Sequence, residues 1–172
     1  ERFYQHGGVD YLSVLRAALS NLTAGATQQG AGTITMQVAR NFFLTREKTM
    51  SRKLREALLA WKIEANFTKD QILDLYINQI YLGQRAYGFA AASQTYFGTP
   101  LQQITIPEAA MLAGLPKAPS AYNPVTNPRR AKIRQQYVLK RMHDLHYISD
   151  DQWREAQNAP LRVRQTPRDP VS

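Results

Sequence analysis

Helix-start signals of one kind recur along this chain and constrain its fold more than any other feature. Each is a capping box, in which Ser or Thr is followed three residues later by Glu or Gln, and they lie at Thr68–Gln71, Thr105–Glu108 and Ser149–Gln152. Such a pair satisfies two backbone N–H groups at a helix N-terminus. Gly83 and Gly114 stand where helix C-termini favour positive φ. Because no segment sustains the period-two alternation of a strand, the sequence predicts a mainly α fold.

Hydrophobic spacing and turn residues predict the remaining organisation. Residues 9–23 carry apolar side chains at helical intervals, and a Gly-rich loop follows over residues 24–32. A helix with a Thr N-cap is predicted over residues 33–43. An Asn-Pro pair opens a long helix predicted over residues 127–146. Residues 159–172, rich in Pro and Arg, are typical of a tail that leaves a domain.

The helix predicted over about residues 49–67 is apolar on two sides. One stripe with 3.6-residue spacing consists of Met50, Leu54, Ala57, Leu58, Trp61 and Ala65. On the opposite side, Leu59 and Ile63 flank Arg52 and Glu56. A helix that is apolar on two sides is usually central and buried, so we expect Arg52 and Glu56 to be enclosed or to face a cleft.

Charge and composition narrow the classes of function. The chain has 172 residues, one domain's worth, and 22 Lys and Arg against 13 Asp and Glu give a net charge of +9. This surplus favours a polyanionic partner such as nucleic acid, an anionic membrane surface or a phosphorylated substrate. The absence of Cys excludes disulfides and thiol chemistry, and three scattered His exclude a zinc finger. No apolar run reaches the roughly 18 residues that span a bilayer, so we expect any membrane anchor to lie outside this chain.

Five segments carry the residues suited to chemistry on an anion. Residues 30–41 read Gly-Ala-Gly-Thr-Ile-Thr-Met-Gln-Val-Ala-Arg-Asn, and residues 52–56 read Arg-Lys-Leu-Arg-Glu. Hydroxyls, amides, fixed cations and one carboxylate can together grip an anion and move a proton beside it. With residues 1–8, 74–83 and 113–124, these segments closely resemble the ordered motifs of a known family. It is the peptidoglycan glycosyltransferase domain, glycosyltransferase family 51, of class A penicillin-binding proteins of the 1a type.

The resemblance covers about residues 1–158 and defines the domain organisation that we expect. Residues 1–158 would form the glycosyltransferase domain. Residues 159–172 would form a tail or linker toward a transpeptidase domain outside this chain. The resemblance implies a mainly α, lysozyme-like glycosyltransferase fold with a large helical lobe, a small mobile membrane-facing lobe and a cleft between them.

The second motif lies on one predicted helix, where residues three to four apart share a face. The resemblance implies that four residues bind the donor's pyrophosphate and sugar: Thr33, Gln37, Arg40 and Asn41. This sequence departs from the motif at Gly32, which replaces a Ser, and at Met36, which replaces a Gln. Gly32 still offers a backbone N–H group near a helix start, which suits an anion.

The third motif places an Arg four residues before a Glu. On one helix face, Arg52 would keep the Glu56 carboxylate charged and oriented. The resemblance implies that Glu56 is the second catalytic carboxylate and assists departure of the pyrophosphate, directly or through a divalent metal, Mg²⁺ or Mn²⁺. Arg52 and Lys53 would neutralise the leaving group. The alternative is an ordinary surface salt bridge, which the flanking apolar residues argue against.

The first motif is cut by the start of the chain. Residues 1–8 resemble the end of the pattern E-D-x-x-F-x-x-H-x-G, with Phe3 and His6 in register. The Glu of that pattern is the general base of the family, and it would fall just before Glu1, so this chain alone can be inactive. The resemblance implies that Phe3 and His6 bind substrate, and the alternative is an aromatic anchor and a structural histidine.

The fourth and fifth motifs have different implied roles. Residues 74–83 are predicted to be mostly packing, with Tyr76 and Asn78 as candidates for hydrogen bonds that hold the fold together. In residues 113–124, the resemblance implies that Lys117 and Ser120 complete the phosphate and sugar site.

The resemblance also implies an activity, a location and partners. The activity is polymerisation of lipid II into glycan strands for the bacterial cell wall, with inversion at the anomeric carbon and release of undecaprenyl pyrophosphate. The partners are lipid II, the growing strand, the membrane and phosphoglycolipid inhibitors of the moenomycin type, without nucleic acid. The location is the periplasmic, extracytoplasmic face of the cytoplasmic membrane, with an N-terminal transmembrane helix outside this chain.

Two other classes of function remain open. A lysozyme-like hydrolase or lytic transglycosylase cleaves with a carboxylic acid and leaves the cations of the motifs unexplained. A non-catalytic module that binds lipid II, membrane or nucleic acid would need basic residues along one exposed face. His143 and His146 have a spacing that can hold a metal, but only Asp144 is near them in sequence, so they are predicted to be surface histidines.

Overall fold

The computed structural model of this chain describes residues 11–27, 34, 37–39 and 50–164. Within them the helices are α1 (Tyr11–Thr27), α2 (Met50–Asn66), α3 (Lys69–Gln79), α4 (Phe89–Phe97), α5 (Ile106–Ala113), α6 (Pro128–Asp144) and α7 (Asp150–Asn158). A 3-10 helix, Leu101–Gln103, precedes α5. Extended pairing in the described part of the chain is limited to one bridge, between Tyr81 and Tyr87. The prediction of a mainly α fold is confirmed.

The three predicted capping boxes are present and start α3, α5 and α7. At α5, the Thr105 hydroxyl accepts a hydrogen bond from the Glu108 N–H group, and the Glu108 carboxylate accepts one from the Thr105 N–H group at 2.8 Å. Each such contact involves residues three apart in sequence. The local sequence alone therefore fixes where these helices begin.

The described residues belong to two compact units. Those within Ser20–Ile80 form one unit, and those within Glu1–Leu19 and Tyr81–Ser172 form the other. In the second unit, α5 packs against α4, α6 and α7, and α6 packs against α7. Its core includes Phe89, Tyr96, Ile104, Leu112 and Leu139. The large and small lobes, the cleft between them and the mobility of the smaller lobe stay predictions.

Over residues 56–66, helix α2 buries one face rather than two. Leu58 and Trp61 of the predicted apolar stripe are 59% and 69% exposed. The buried face instead consists of Glu56, Ala60 and Ile63. The expectation that both sides of this helix are buried is wrong, because hydrophobic spacing identifies an apolar face without identifying what covers it.

Neither predicted C-terminal glycine adopts the expected conformation at a helix end. Helix α3 ends at Gln79, and Gly83 has φ +86 in the turn where the Leu82 N–H group bonds to the Ala86 carbonyl. Gly114 does follow α5, but its φ is −78°. A Cβ at Gly114 would lie 2.7 Å from Arg134 Cγ, so the absence of a side chain, not a positive φ, is what the packing requires there.

The end of α6 separates the two histidines. The helix ends at Asp144, and His146 has φ +63, so His143 and His146 do not share a helix face. His143 is half-buried, stacks on Trp153 with ring centroids 4.1 Å apart, and contacts the carboxylate of Asp150. His143 is therefore a partly covered residue, whereas His146 is exposed as predicted. Across the residues described, no three His, Asp or Glu side chains cluster as a metal site would require.

Candidate active site

Glu56 has an environment unlike that of any other described acidic or basic side chain. It is 2% exposed and is the single charged residue among the described side chains that is buried. Ala60 and Ile63 are buried on the same helix, and Leu59 is half-buried. Glu56 takes part in a hydrogen-bonding or charge interaction, as a carboxylate removed from water requires. The expectation that Glu56 is enclosed is confirmed.

Arg52 and Lys53 lie in the first turn of α2, four and three residues before Glu56. Residues at those intervals are neighbours on a helix surface. Their side chains lie outside the described part of the structure, so their roles stay predictions.

The second motif is described only in part. Residues 37–39 are helical, Gln37 is half-buried and has an interaction partner, and Val38 and Ala39 are buried. The remaining sequence-predicted site residues that lie outside the described residues are Phe3, His6, Thr33, Arg40 and Asn41.

The fifth motif forms the connection between α5 and α6. Lys117 and Ser120 are both exposed on it. The Ala118 N–H group donates to the Leu115 carbonyl at 3.1 Å, and the Tyr122 N–H group donates to the Ala118 carbonyl at 3.0 Å. Leu115 is fully buried and anchors the start of the turn. The backbone around Lys117 is therefore fixed while its side chain is open to a ligand.

Two Asn side chains hold the second half of this connection. The Asn123 Oδ1 atom accepts from the N–H groups of Val125 and Thr126, and Asn123 is buried. The Asn127 Nδ2 atom donates to the Ser120 carbonyl at 3.0 Å. Asn127 does not cap α6 with its side chain. Sequence reasoning missed both roles, because Asn before Pro is equally typical of an ordinary turn.

Arg134 of α6 reaches back to the same connection. Its Nε atom donates to the Gly114 carbonyl at 3.2 Å. Its guanidinium carbon lies 5.4 Å from the ring centroid of Tyr122 and 5.1 Å from that of Tyr137. Burial lowers the pKa of Arg134 from its usual value. No local pattern singles out this Arg among the other basic residues of α6.

The fourth motif is only partly the packing element that was predicted. Tyr76 and Ile77 are buried, but Asn78 is exposed. The Tyr76 hydroxyl has no hydrogen-bond partner within the described residues, and burial raises its pKa. The expected hydrogen bond from Tyr76 is therefore wrong. Tyr81 is 40% exposed and lies against the Tyr87 ring with centroids 5.0 Å apart, so it packs at the surface.

The described candidates fall in two groups. Gln37 and Glu56 belong to one unit, and Lys117 and Ser120 belong to the other. Each unit thus contains polar groups of the kind that the motif resemblance assigns to substrate binding.

Comparisons with known proteins identify relatives of this chain. A family model described as Transglycosylase matches residues 1–143. A Cupriavidus necator protein named "Putative transglycosylase" is 60% identical over 164 residues, which are 95% of this chain and 71% of that protein. Penicillin-binding protein 1A of Neisseria cinerea is 58% identical over 161 residues, 94% of this chain and 20% of that protein.

A solved structure agrees with the sequence relatives. The crystal structure of penicillin-binding protein 1A from Haemophilus influenzae superposes with a TM-score of 0.54 and 35% identity, over 76% of this chain and 16% of that one. The chain spans about a fifth of the Neisseria relative. The family match includes all five motifs, which end at residue 124. The chain therefore belongs to the transglycosylase family and is a peptidoglycan glycosyltransferase domain of the penicillin-binding protein 1A type.

Proposed function

We propose that this domain polymerises lipid II into glycan strands, with inversion at the anomeric carbon and release of undecaprenyl pyrophosphate. The observation that carries the proposal is a buried Glu56, one helical turn after Arg52, in a chain of this family. The 4-hydroxyl of the incoming lipid II attacks the anomeric carbon of the growing strand. The bond to the pyrophosphate oxygen breaks, and that oxygen takes the electron pair. The Glu expected before Glu1 takes the hydroxyl proton.

Glu56 is suited to act on the leaving group because of where it lies. Removal from water strengthens its interactions with nearby charges. A carboxylate alone would repel a pyrophosphate, so Glu56 must act together with a cation. Arg52, one turn earlier in α2, is positioned in the chain to supply one.

A divalent ion, Mg²⁺ or Mn²⁺, is the second candidate cation. Among the described residues, no three metal-ligating side chains cluster. Mg²⁺ is commonly held by one or two carboxylates together with substrate phosphates. Glu56 fits that role, directly or through water, and a bound ion would supply charge neutralisation to the pyrophosphate.

Cations from separate motifs are proposed to bind the pyrophosphate by charge-assisted hydrogen bonds. They are Arg40, Arg52, Lys53 and Lys117. Hydroxyl and amide groups from the same motifs would bind the sugars, with Phe3 and His6 beside them, and these are Thr33, Gln37, Asn41 and Ser120. Phosphoglycolipid inhibitors of the moenomycin type would bind the same cations, because they carry a similarly placed phosphate.

We extend the proposal to a membrane surface. Leu58 and Trp61 form an exposed apolar stripe on α2, and Lys62 is exposed beside them. An aromatic and aliphatic face with a basic flank is typical of a helix that lies in the membrane interface. None of the described helices is long and apolar enough to span a bilayer. The proposed location is the periplasmic face of the cytoplasmic membrane, with an anchor encoded upstream.

The proposal also includes a transpeptidase domain in the same full-length protein. The relatives differ on this point. The Cupriavidus relative has less than a third of its length outside the match, whereas the Neisseria relative has four fifths. The residues encoded after Ser172 distinguish these two architectures.

The direct test is an assay with lipid II, using the protein extended upstream of Glu1. We expect glycan strands to form, with one undecaprenyl pyrophosphate released for each new bond. The new glycosidic bonds should have the configuration opposite to that of the donor. Shortening of preformed strands without consumption of lipid II would instead identify a hydrolase or lytic enzyme.

A further inference from the structure

One side chain of α6 contacts both ends of the segment that carries Lys117. The Arg134 Nε atom donates to the carbonyl of Gly114, directly before buried Leu115. The guanidinium also lies 5.4 Å from the ring centroid of Tyr122, which follows Lys117 in the same connection. Residues between these two contacts include Lys117 and no other cation. The conformation that presents Lys117 is therefore tied to α6 through Arg134.

The contact needs a guanidinium and a glycine. A guanidinium can donate from its edge while its face lies against aromatic rings, here those of Tyr122 and Tyr137, and an ammonium group cannot do both. A Cβ at Gly114 would lie 2.7 Å from Arg134 Cγ, so the Arg stem occupies the space that a larger residue would take. Tyr137 in turn holds the guanidinium from its own helix, three residues further along α6.

We propose that Arg134 is a positioning residue, which holds Lys117 in the orientation that binds the pyrophosphate of the donor. The inference rests on the proposed role of Lys117 in lipid II binding. Arg134 acts through the loop and is not assigned a contact with substrate.

A double-mutant cycle tests the proposal with lipid II itself as the probe, in detergent micelles. We expect Arg134→Met to raise the Kd for lipid II about 5- to 10-fold, within the usual range for residues that are coupled through a backbone shift. In a Lys117→Ala background the same change should raise it less than about twofold. Arg134→Lys should bind as weakly as Arg134→Met, because it keeps the charge and loses the planar donor.

The controls separate positioning from charge and from stability. Arg130→Met removes an exposed cation of α6 and should leave the Kd within about twofold of the unchanged protein. If it weakens binding as much as Arg134→Met, diffuse charge is responsible and the proposal is overturned. If Arg134→Met fails to fold, Tyr137→Leu takes its place in the double-mutant cycle, because it removes one of the two rings beside the guanidinium.

The measured Kd values distinguish a failure of the positioning role from a failure of the proposed function. If Lys117→Ala leaves the Kd unchanged, the role of Lys117 in the proposed function is wrong, and the positioning role falls with it. If Lys117→Ala weakens binding but Arg134→Met has no effect, or has its full effect in both backgrounds, only the positioning role of Arg134 is overturned.

Discussion

Two glycines with positive φ show how much a single residue's surroundings matter. Gly83 has φ +86, and a Cβ there would lie 2.6 Å from the Tyr96 hydroxyl oxygen. That hydroxyl is buried and donates to the Leu82 carbonyl at 2.7 Å. Gly98 has φ +65, but the nearest atom to its Cβ would be Arg164 Cδ at 3.4 Å. Gly83 therefore combines a backbone requirement with a steric one, and Gly98 has the backbone requirement alone.

We predict that Gly83→Ala lowers the free energy of unfolding by about 2–5 kcal/mol, the sum of left-handed strain and overpacking. Gly98→Ala should lower it by only about 1–2 kcal/mol, from the backbone strain. Urea unfolding of the two variants measures both values. Equal losses would show that the Tyr96 contact is relieved without cost and would contradict this account.

At the same scale, Arg134 shows what could not be predicted from the sequence. Its acceptor, Gly114, is 20 residues away, and one of its two rings, Tyr122, lies in a different element. In a helix with basic residues at positions such as 129, 130, 132 and 140, nothing in the spacing distinguishes it. Glu56 could be predicted to be enclosed, because Leu59 and Ile63 flank it within its own helix.

Helix boundaries were predictable where the determining contacts are local. Each capping box involves residues three apart, and all three boxes form as predicted. Which face of α2 is covered was not predictable. Leu58 and Trp61 are exposed, but their helical spacing would be the same if they faced a core. What covers a helix depends on elements distant in sequence.

The exposed stripe of α2 leads to a prediction about membrane surfaces. The double variant Leu58→Gln, Trp61→Gln should bind anionic phospholipid vesicles at least about 10-fold more weakly, because two large apolar side chains no longer enter the interface. The matched control is Ile133→Gln, which removes a residue of α6 that is 65% exposed and should leave vesicle binding unchanged. Sedimentation with vesicles measures both, and equal losses would contradict a specific role for α2.

We expect the contact between His143 of α6 and Asp150 of α7 to make the free energy of unfolding depend on pH in the acid range. A hydrogen bond from His143 holds the pKa of the Asp150 carboxyl below its usual value. In the unfolded chain that pKa returns to about 3.9, so the unfolded state binds more protons as the pH falls. The stabilisation is therefore present above about pH 4 and is lost below it.

We predict that Asp150→Asn removes this contribution and makes unfolding less dependent on pH between about pH 5 and about pH 2. Asp151→Asn, at the next position of α7, is the control and should retain most of the pH dependence. Denaturant midpoints across this range give the measurement. A pH dependence of Asp150→Asn identical to that of the unchanged protein would show that the His143 contact does not contribute.

For the whole molecule, family and fold class were predictable because five motifs occur in order and capped amphipathic helices account for the described chain. The two departures from the second motif, Gly32 and Met36, lie outside the described residues. Glu56 and Lys117 belong to different units. Their proposed roles on one pyrophosphate rest on the motif resemblance, and a functional measurement tests them.

The central claim is that Glu56 assists the chemical step, and Glu56→Gln in the protein extended upstream of Glu1 tests it most directly. We predict a loss of about 10²-fold or more in lipid II polymerisation, the usual scale for a positioned charged group, with a far smaller change in lipid II binding. Glu64→Gln, at an exposed position of the same helix, should leave both unchanged. Equal losses of binding and turnover in Glu56→Gln would contradict the claim and make Glu56 a structural partner of its neighbours.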